Sequence, residues 1–407
     1  MTGSRKTIRR SLGWVTAIAV ATVPALSACG GTAGGDASSP PSSTRSSVSS
    51  APLWAAPGAG ALPTKTTAAL QQALDSRVAA GNLAGVSAAV VSAAGTWSGA
   101  AGVDGAGTRL TPDSAMWIAS VTKTFTAAEV MLLSSRGLVD LDKPLTDYID
   151  VPFDTKGATV RQVLAMRSGF PNTTIQADYQ NLGADLGREW TAAQVLATIP
   201  TDAPRSSPGG TPEYNSVNYQ LLGELIAKVT KQSLAQAIRA DLLDPAGLHR
   251  TWVQTAETPT PPLSVGTNPT GAKIVDLAGP YLPSRAVASG TNGAGGMAGD
   301  AADVARWSYL LYGGLVIDSA LVKQMEADPQ TEPTRGLYAL GTMLTTDDHG
   351  TTMVGHAGGG PEWPYSAVMM VWTGKPAVAV TVLTPQHADF GTQLYDLFMQ
   401  LQQTVTG

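Results

Sequence analysis

Ser120 and Lys123 stand one helical turn apart at the point where an apolar helix begins, within Met116-Trp-Ile-Ala-Ser-Val-Thr-Lys-Thr-Phe-Thr-Ala-Ala. Side chains three residues apart share a helix face. A serine hydroxyl is a weak nucleophile until a base takes its proton, and an amine kept neutral by burial and positive neighbours can be that base. The helix N-terminus beside Ser120 adds backbone N–H groups and a dipole suited to developing negative charge. A capping serine followed by an exposed lysine would read the same way, although the pattern occurs only once in the chain.

Two further segments could complete such a site. Pro212-Glu-Tyr-Asn-Ser-Val-Asn-Tyr-Gln-Leu-Leu-Gly places Tyr214, Asn215 and Ser216 at the first turn of an amphipathic helix. With Tyr214 beside Lys123, ammonium and phenolate would stabilise each other, and the phenol could relay protons to and from Ser120. Val354-Gly-His-Ala-Gly-Gly-Gly carries His356, Gly358 and Gly359 just before a strand-rich segment. Glycines there let a substrate backbone come close and can present an N–H to an oxyanion. Read singly, these are also a helix cap with packing tyrosines and a glycine-rich loop with a surface histidine.

Taken in order, Ser-x-x-Lys, Tyr-x-x and His-x-Gly resemble the signature of class C β-lactamases, DD-peptidases and related esterases. Leu138-Val-Asp-Leu-Asp-Lys-Pro-Leu, Leu243-Asp-Pro-Ala-Gly-Leu and Gly295-Gly-Met-Ala-Gly-Asp are similar to stock segments of that superfamily, and the likeness runs from Leu62 to Val405. The resemblance implies Ser120 as acyl-accepting nucleophile, Lys123 and Tyr214 as the general-base pair, and His356 facing the site. It implies an oxyanion hole from the Ser120 and Gly359 N–H groups, and structural roles for Glu129 and Asp300.

Two departures bear on the substrate. Where the family has Tyr-x-Asn the chain has Tyr214-Asn215-Ser216, so either Ser216 substitutes for the amide-contacting Asn or Asn215 reaches in from a shifted turn. Where β-lactamases have Lys-Thr-Gly the chain has His356-Ala357-Gly358, without the fixed ammonium and hydroxyl that engage a β-lactam carboxylate. A carboxylesterase or peptidase is therefore expected ahead of an efficient β-lactamase. A binding protein that keeps the fold without turnover is the competing class.

The elements that would position these residues follow from the apolar pattern. Leu70, Leu74 and Val78 form one stripe of a helix over 65–80, and residues 85–103 read as two strands joined at Ala94-Gly95. A third strand is expected before the Ser120 helix. Residues 365–372 and 377–383 read as a hairpin through Thr373-Gly-Lys-Pro, followed by a closing helix over 390–405. Between them, 111–325 is mostly helical. Trp363 and Tyr365 fall at the expected rim, as a substrate wall or a packed strand start. The fold class is α+β: an antiparallel sheet built from N- and C-terminal segments, flanked by helices, with an inserted mostly helical subdomain.

The N-terminus carries a different message. Arg5, Lys6, Arg9 and Arg10 precede an apolar run over 12–28, a signal-peptide layout too short for a stable membrane span. Leu26-Ser-Ala-Cys29 resembles a bacterial lipobox, and Cys29 is the single cysteine, which excludes an internal disulfide. The expected organisation is a signal peptide over 1–28, a flexible Gly/Ser/Pro-rich tether over 29–62, and a hydrolase domain over 63–407. Lipid on Cys29 would hold the protein at the membrane outside the cytoplasm. Loss of residues 1–28, with four cations and no acid, changes the formal charge from −5 to −9, which argues against nucleic acid as a partner. No cofactor or metal is expected from only four histidines; the partner is a small ester or peptide substrate.

Overall fold

The strands expected at the two ends of the chain pair with each other. The computed structural model describes residues 50–171, 185–199, 206–267, 273–274, 280–360 and 363–407. The expected signal segment, Cys29 and the tether up to residue 49 lie outside the described residues.

β1 (Gly85–Ser92) and β2 (Gly95–Gly102) form the N-terminal hairpin, and β1 also pairs antiparallel with the last strand, from Ser87 opposite Leu383 to Ser92 opposite Val378. β3 (Met116–Trp117), β4 (Thr251–Val253) and β7 (Met297–Gly299) make a separate small sheet in the order β3-β7-β4. The strand expected before the Ser120 helix is thus real but belongs to this second sheet. β5 (Gly266–Thr267) and β6 (Lys273–Ile274) form a two-stranded pair. β8 (Gln330–Glu332), β9 (Gly336–Tyr338), β10 (Met343–Thr346), β11 (Thr352–Gly359), β12 (Ser366–Trp372) and β13 (Val378–Thr384) complete the main sheet. Its order is β2-β1-β13-β12-β11-β10-β9-β8, antiparallel throughout.

The central strands bury both faces, so their side chains split by the two-residue period of a strand. Val86, Ala88, Val90, Val380 and Val382 face one core, where α1 (Thr64–Ala79) supplies Leu70 and Leu74 and the C-terminal helix supplies Leu397, Phe398 and Leu401. Ala89, Val91, Ala367, Met369 and Ala379 face the other core, which holds the inserted helices. Four of these helices matter below: α2 (Thr122–Ser135), α3 (Ser216–Thr230), α4 (Arg285–Gly295) and α5 (Ala301–Tyr312). α2, α3 and α4 pack on one another, and α5 lies across β1 and β13. The closing helix, α6, runs over Asp396–Thr406 after a wide turn.

One boundary differs from expectation. Residues 50–62, assigned to the tether, are laid against the domain rather than free of it. The Ser50 and Leu53 N–H groups donate to Asp318 and to the Gly313 carbonyl. The Trp54 indole packs on Tyr309 at 5.7 Å and donates to its carbonyl, and the Leu62 N–H donates to the Thr96 carbonyl. Composition pointed to a tether, but Trp54 and Leu62 pack on the two cores and the backbone of this stretch bonds to the domain.

Candidate active site

Ser120 enters the site through a strained turn. Residues Ala119–Val121 form a single 3-10 turn that runs into α2, and Ala119 sits at φ 47°, a left-handed conformation that costs a residue with a Cβ. β11 presses on this turn: a Cβ at Gly358 would lie 2.4 Å from the Ile118 carbonyl oxygen and 3.0 Å from the Ser120 nitrogen. Glycine at 358 is what allows the strand to reach the nucleophile's backbone. Gly359, the next residue, is in the positive-φ region at 114°.

Lys123 is fully buried and its Nζ lies 3.0 Å from Ser120 Oγ, 3.2 Å from Ser216 Oγ and 2.7 Å from the Ala294 carbonyl oxygen. Burial, and secondarily the charge on Arg335, hold its pKa well below the ordinary lysine value. A neutral amine has two protons and a lone pair. The Ala294 carbonyl can only accept, so one proton goes to it, and a neutral amine then has one further proton and its lone pair to share between the hydroxyls of Ser120 and Ser216.

Tyr214 closes the other side. Lys123 Nζ lies 5.0 Å from its ring centroid and the Arg335 guanidinium 4.7 Å. Burial pushes its phenol up to about 12, against the opposing pull of Arg335 and of a hydrogen bond with Ser120. Burial thus works against both members of the ammonium–phenolate pair expected from the sequence, lowering the pKa of the lysine and raising that of the phenol.

His356 is buried beside this group, its ring 6.1 Å from that of Tyr214 and 5.8 Å from that of Tyr338. Its Nδ1 lies 2.6 Å from its neighbour's carbonyl oxygen at Ala357, which makes Nδ1 the donor, and its Nε2 lies 3.3 Å from the Tyr338 hydroxyl. Burial above all lowers its pKa to about 3. It is a neutral, hydrogen-bonded strut.

At the Tyr-x-x turn the structure gives Asn215 to the helix cap and Ser216 to Lys123. Asn215 caps α3: its side-chain oxygen accepts from the Val217 N–H at 2.9 Å, and its Nδ2 donates to the Phe170 carbonyl at 2.8 Å. With 3% exposure and both ends of its amide occupied, it does not reach into the site. Ser216, first residue of the helix, turns its hydroxyl to Lys123 instead.

Three elements of the site escaped the sequence reading. Ala294 supplies a carbonyl because α4 breaks at Asn292 (φ 37°), and the run Gly290-Thr-Asn-Gly-Ala-Gly-Gly was its available signal. The same break turns the Gly293 carbonyl to Thr126 and the Gly295 carbonyl to the Trp117 indole, fastening α4 to α2 and to β3. Arg335 comes from the turn between β8 and β9, which Pro333-Thr-Arg-Gly336 could have marked. Glu332 anchors that turn, accepting from the Tyr214 N–H at 3.3 Å and from the Thr334 N–H at 2.8 Å. Of the expected rim aromatics, Tyr365 is a packed strand start whose hydroxyl donates to the Ser264 carbonyl at 2.6 Å, and Trp363 packs on Trp117 at 4.9 Å.

A serine, a neutral lysine and a neutral tyrosine at a helix start pressed by a glycine strand are the parts of an acyl-transfer centre. The Beta-lactamase family profile matches residues 70–399. The chain belongs to this family.

Its fold is that of the β-lactamases and penicillin-binding proteins, a superfamily of serine hydrolases. Among solved structures, the D-amino acid amidase from Ochrobactrum anthropi SV3 superposes at a TM-score of 0.71 with 24% identity, covering 84% of this chain and 100% of its own. A D-stereospecific amidohydrolase from Streptomyces sp. superposes at 0.68 with 25% identity, covering 82% and 97%. In sequence, Protein flp of Staphylococcus aureus (strain MW2) is 30% identical over 153 residues, 36% of this chain and 30% of its own length. Penicillin-binding protein 4 of Amycolatopsis lactamdurans is 29% identical over 189 residues, 44% of this chain and 49% of its own. The chain thus spans less than half the length of these two relatives. Within the described residues no helix is long and apolar enough to cross a membrane, and no cluster of side chains could hold a metal ion.

Proposed function

We propose that the protein is an exported, lipid-anchored serine hydrolase that forms an acyl-enzyme on Ser120 from an ester or peptide at the cell envelope. The carrying observation is the buried Lys123 amine 3.0 Å from Ser120 Oγ. Lys123 takes the hydroxyl proton as Oγ bonds to the substrate carbonyl. The N–H groups of Ser120 and Gly359 stabilise the oxyanion. Tyr214 protonates the leaving atom and is reprotonated from Lys123, and water then releases the acyl group by the reverse transfers. Likeness to a D-stereospecific amidohydrolase supports a D-configured acyl or amide portion. The basic and apolar leader ending at Cys29 supports the anchor.

The full chain and its Ser120→Ala variant are compared for p-nitrophenyl ester hydrolysis and for labelling by a fluorophosphonate. Activity and label present in the first and absent in the second are expected. Background rates and no label in both would remove the reading and leave the non-catalytic binder. Metabolic labelling with a fatty acid, lost on Cys29→Ser, is the expected sign of the anchor, and unlabelled wild type would refute it.

A further inference from the structure

The first turns of α4 are ordinary helix: Ser284 caps it through the Val287 N–H, and the Thr291 hydroxyl donates back to the Val287 carbonyl. Asn292 then turns to φ 37°, ψ −126°. That conformation favours glycine, because a Cβ crowds the backbone there. A residue with a side chain holds it only where its surroundings impose it, and such strain gathers at sites that use it. The segment has glycine at 290, 293, 295 and 296, yet the strained position is an asparagine.

The backbone groups freed by the break go to the segment that carries Ser120 and Lys123. In a continuous helix the Gly293, Ala294 and Gly295 carbonyls would accept from N–H groups four residues on. Instead the Gly293 carbonyl accepts from the Thr126 hydroxyl at 2.7 Å, the Ala294 carbonyl faces Lys123 Nζ at 2.7 Å, and the Gly295 carbonyl accepts from the Trp117 indole. The Met297 N–H, which a continuous helix would give to Gly293, donates to the Thr122 hydroxyl at 3.2 Å. Asn292 itself is held against α3, where a Cβ on Gly223 would stand 3.5 Å from its Nδ2.

The Ala294 carbonyl bears on the chemistry. Lys123 Nζ has three oxygen neighbours, Ser120 Oγ, Ser216 Oγ and this carbonyl, as many as the tetrahedral positions left beside Cε. Only the carbonyl cannot donate, so it fixes one N–H and leaves the lone pair on the side of the hydroxyls. Once Nζ has taken the Ser120 proton, the same oxygen accepts from the ammonium. Without it the amine could turn its lone pair away from Oγ.

We infer that Asn292 is a positioning residue: its strained backbone aims the Ala294 carbonyl at Lys123 and so orients the base toward Ser120. The inference rests on the Ser120 acyl-enzyme reading.

The test compares the full chain with Asn292→Gly, Asn292→Ala and Asn292→Val in p-nitrophenyl ester hydrolysis, rate of fluorophosphonate labelling and urea denaturation. Asn292→Gly keeps the conformation without the strain, so kcat should stay within about threefold of wild type and the urea midpoint should not fall. Asn292→Val is β-branched and an outlier at positive φ. It should swing the carbonyl away and lower kcat about 100-fold with KM within about threefold, the effect of misplacing a catalytic group by about 1 Å. Asn292→Ala should lose about tenfold, and it is the folded comparison if Asn292→Val does not fold. Labelling rates should follow the same order. Wild-type kcat and labelling in Asn292→Ala and in folded Asn292→Val would overturn the inference. So would a loss in Asn292→Gly as large as in Asn292→Ala, which would assign the effect to the side-chain amide, or a change confined to KM or to the urea midpoint. Wild type that neither hydrolyses the ester nor takes the label refutes the acyl-enzyme reading itself, whereas labelled wild type with indifferent variants refutes Asn292 alone.

Discussion

Replacing Gly358 by alanine puts one methyl group between β11 and the nucleophile's backbone. The added Cβ would lie 2.4 Å from the Ile118 carbonyl oxygen, about 0.6 Å inside the 3.0 Å limit that real Cβ atoms respect, and 3.0 Å from the Ser120 nitrogen. Both neighbours are backbone, in a turn already strained at Ala119, so neither can swing aside as a flexible side chain would. Relief requires the strand or the Ser120 turn to move by roughly half an ångström or more, which displaces Ser120 relative to Lys123 and Gly359. Misplacement of reacting groups on the order of 1 Å costs about 10²-fold, so kcat/KM for a p-nitrophenyl ester should fall about 100-fold. Overpacking should cost about 1–3 kcal/mol, seen in chemical denaturation as a lower midpoint with an unchanged slope. Gly60→Ala is the control, because a Cβ there meets nothing within 4 Å, and it should leave both measurements unchanged. Wild-type activity in Gly358→Ala would refute the contact between β11 and the nucleophile turn, and with it the placement of the oxyanion hole.

Other outcomes follow from the same geometry. Lys123→Met, close in volume and without the amine, should fold yet lose about 10²- to 10⁴-fold in kcat, checked by steady-state kinetics beside circular dichroism. In wild type, activity should rise with pH as Lys123 loses its proton, with a midpoint well below 10.5; a midpoint at the ordinary lysine value would contradict the burial argument. His356 is neutral in the fold down to about pH 3 but takes up a proton near 6.5 when unfolded, so between those values the unfolded state binds more protons and stability rises with pH. His356→Gln should remove up to about 1.4 kcal/mol per pH unit of that slope, measured by urea denaturation across the window. Trp54→Ala should destabilise the protein by about 1–3 kcal/mol in the same assay, and a smaller effect would return residues 50–62 to the tether.

Much of the chain was readable in one dimension because the signals are local. The hairpin at Ala94-Gly95, the helix carrying Leu70 and Leu74, and the strands on either side of Lys375-Pro376 follow from side-chain period and turn chemistry. The edge strands β8, β9 and β10 were not readable, being three or four residues long without a buried apolar alternation. Arg335 was lost with them, since its importance lies in where that hairpin folds rather than in its neighbours in sequence.

The sequence by itself determined the reactive types and their order: Ser120 and Lys123 on one helical face, Tyr214 at a helix start, and glycines beside His356. Covalent spacing is enough for that. Their chemical states were decided only by the tertiary structure, because charge depends on what removes the water. Burial between α2, α3 and α4 lowers the pKa of the Lys123 amine toward that of a base, raises that of the Tyr214 phenol and keeps the His356 ring a neutral strut.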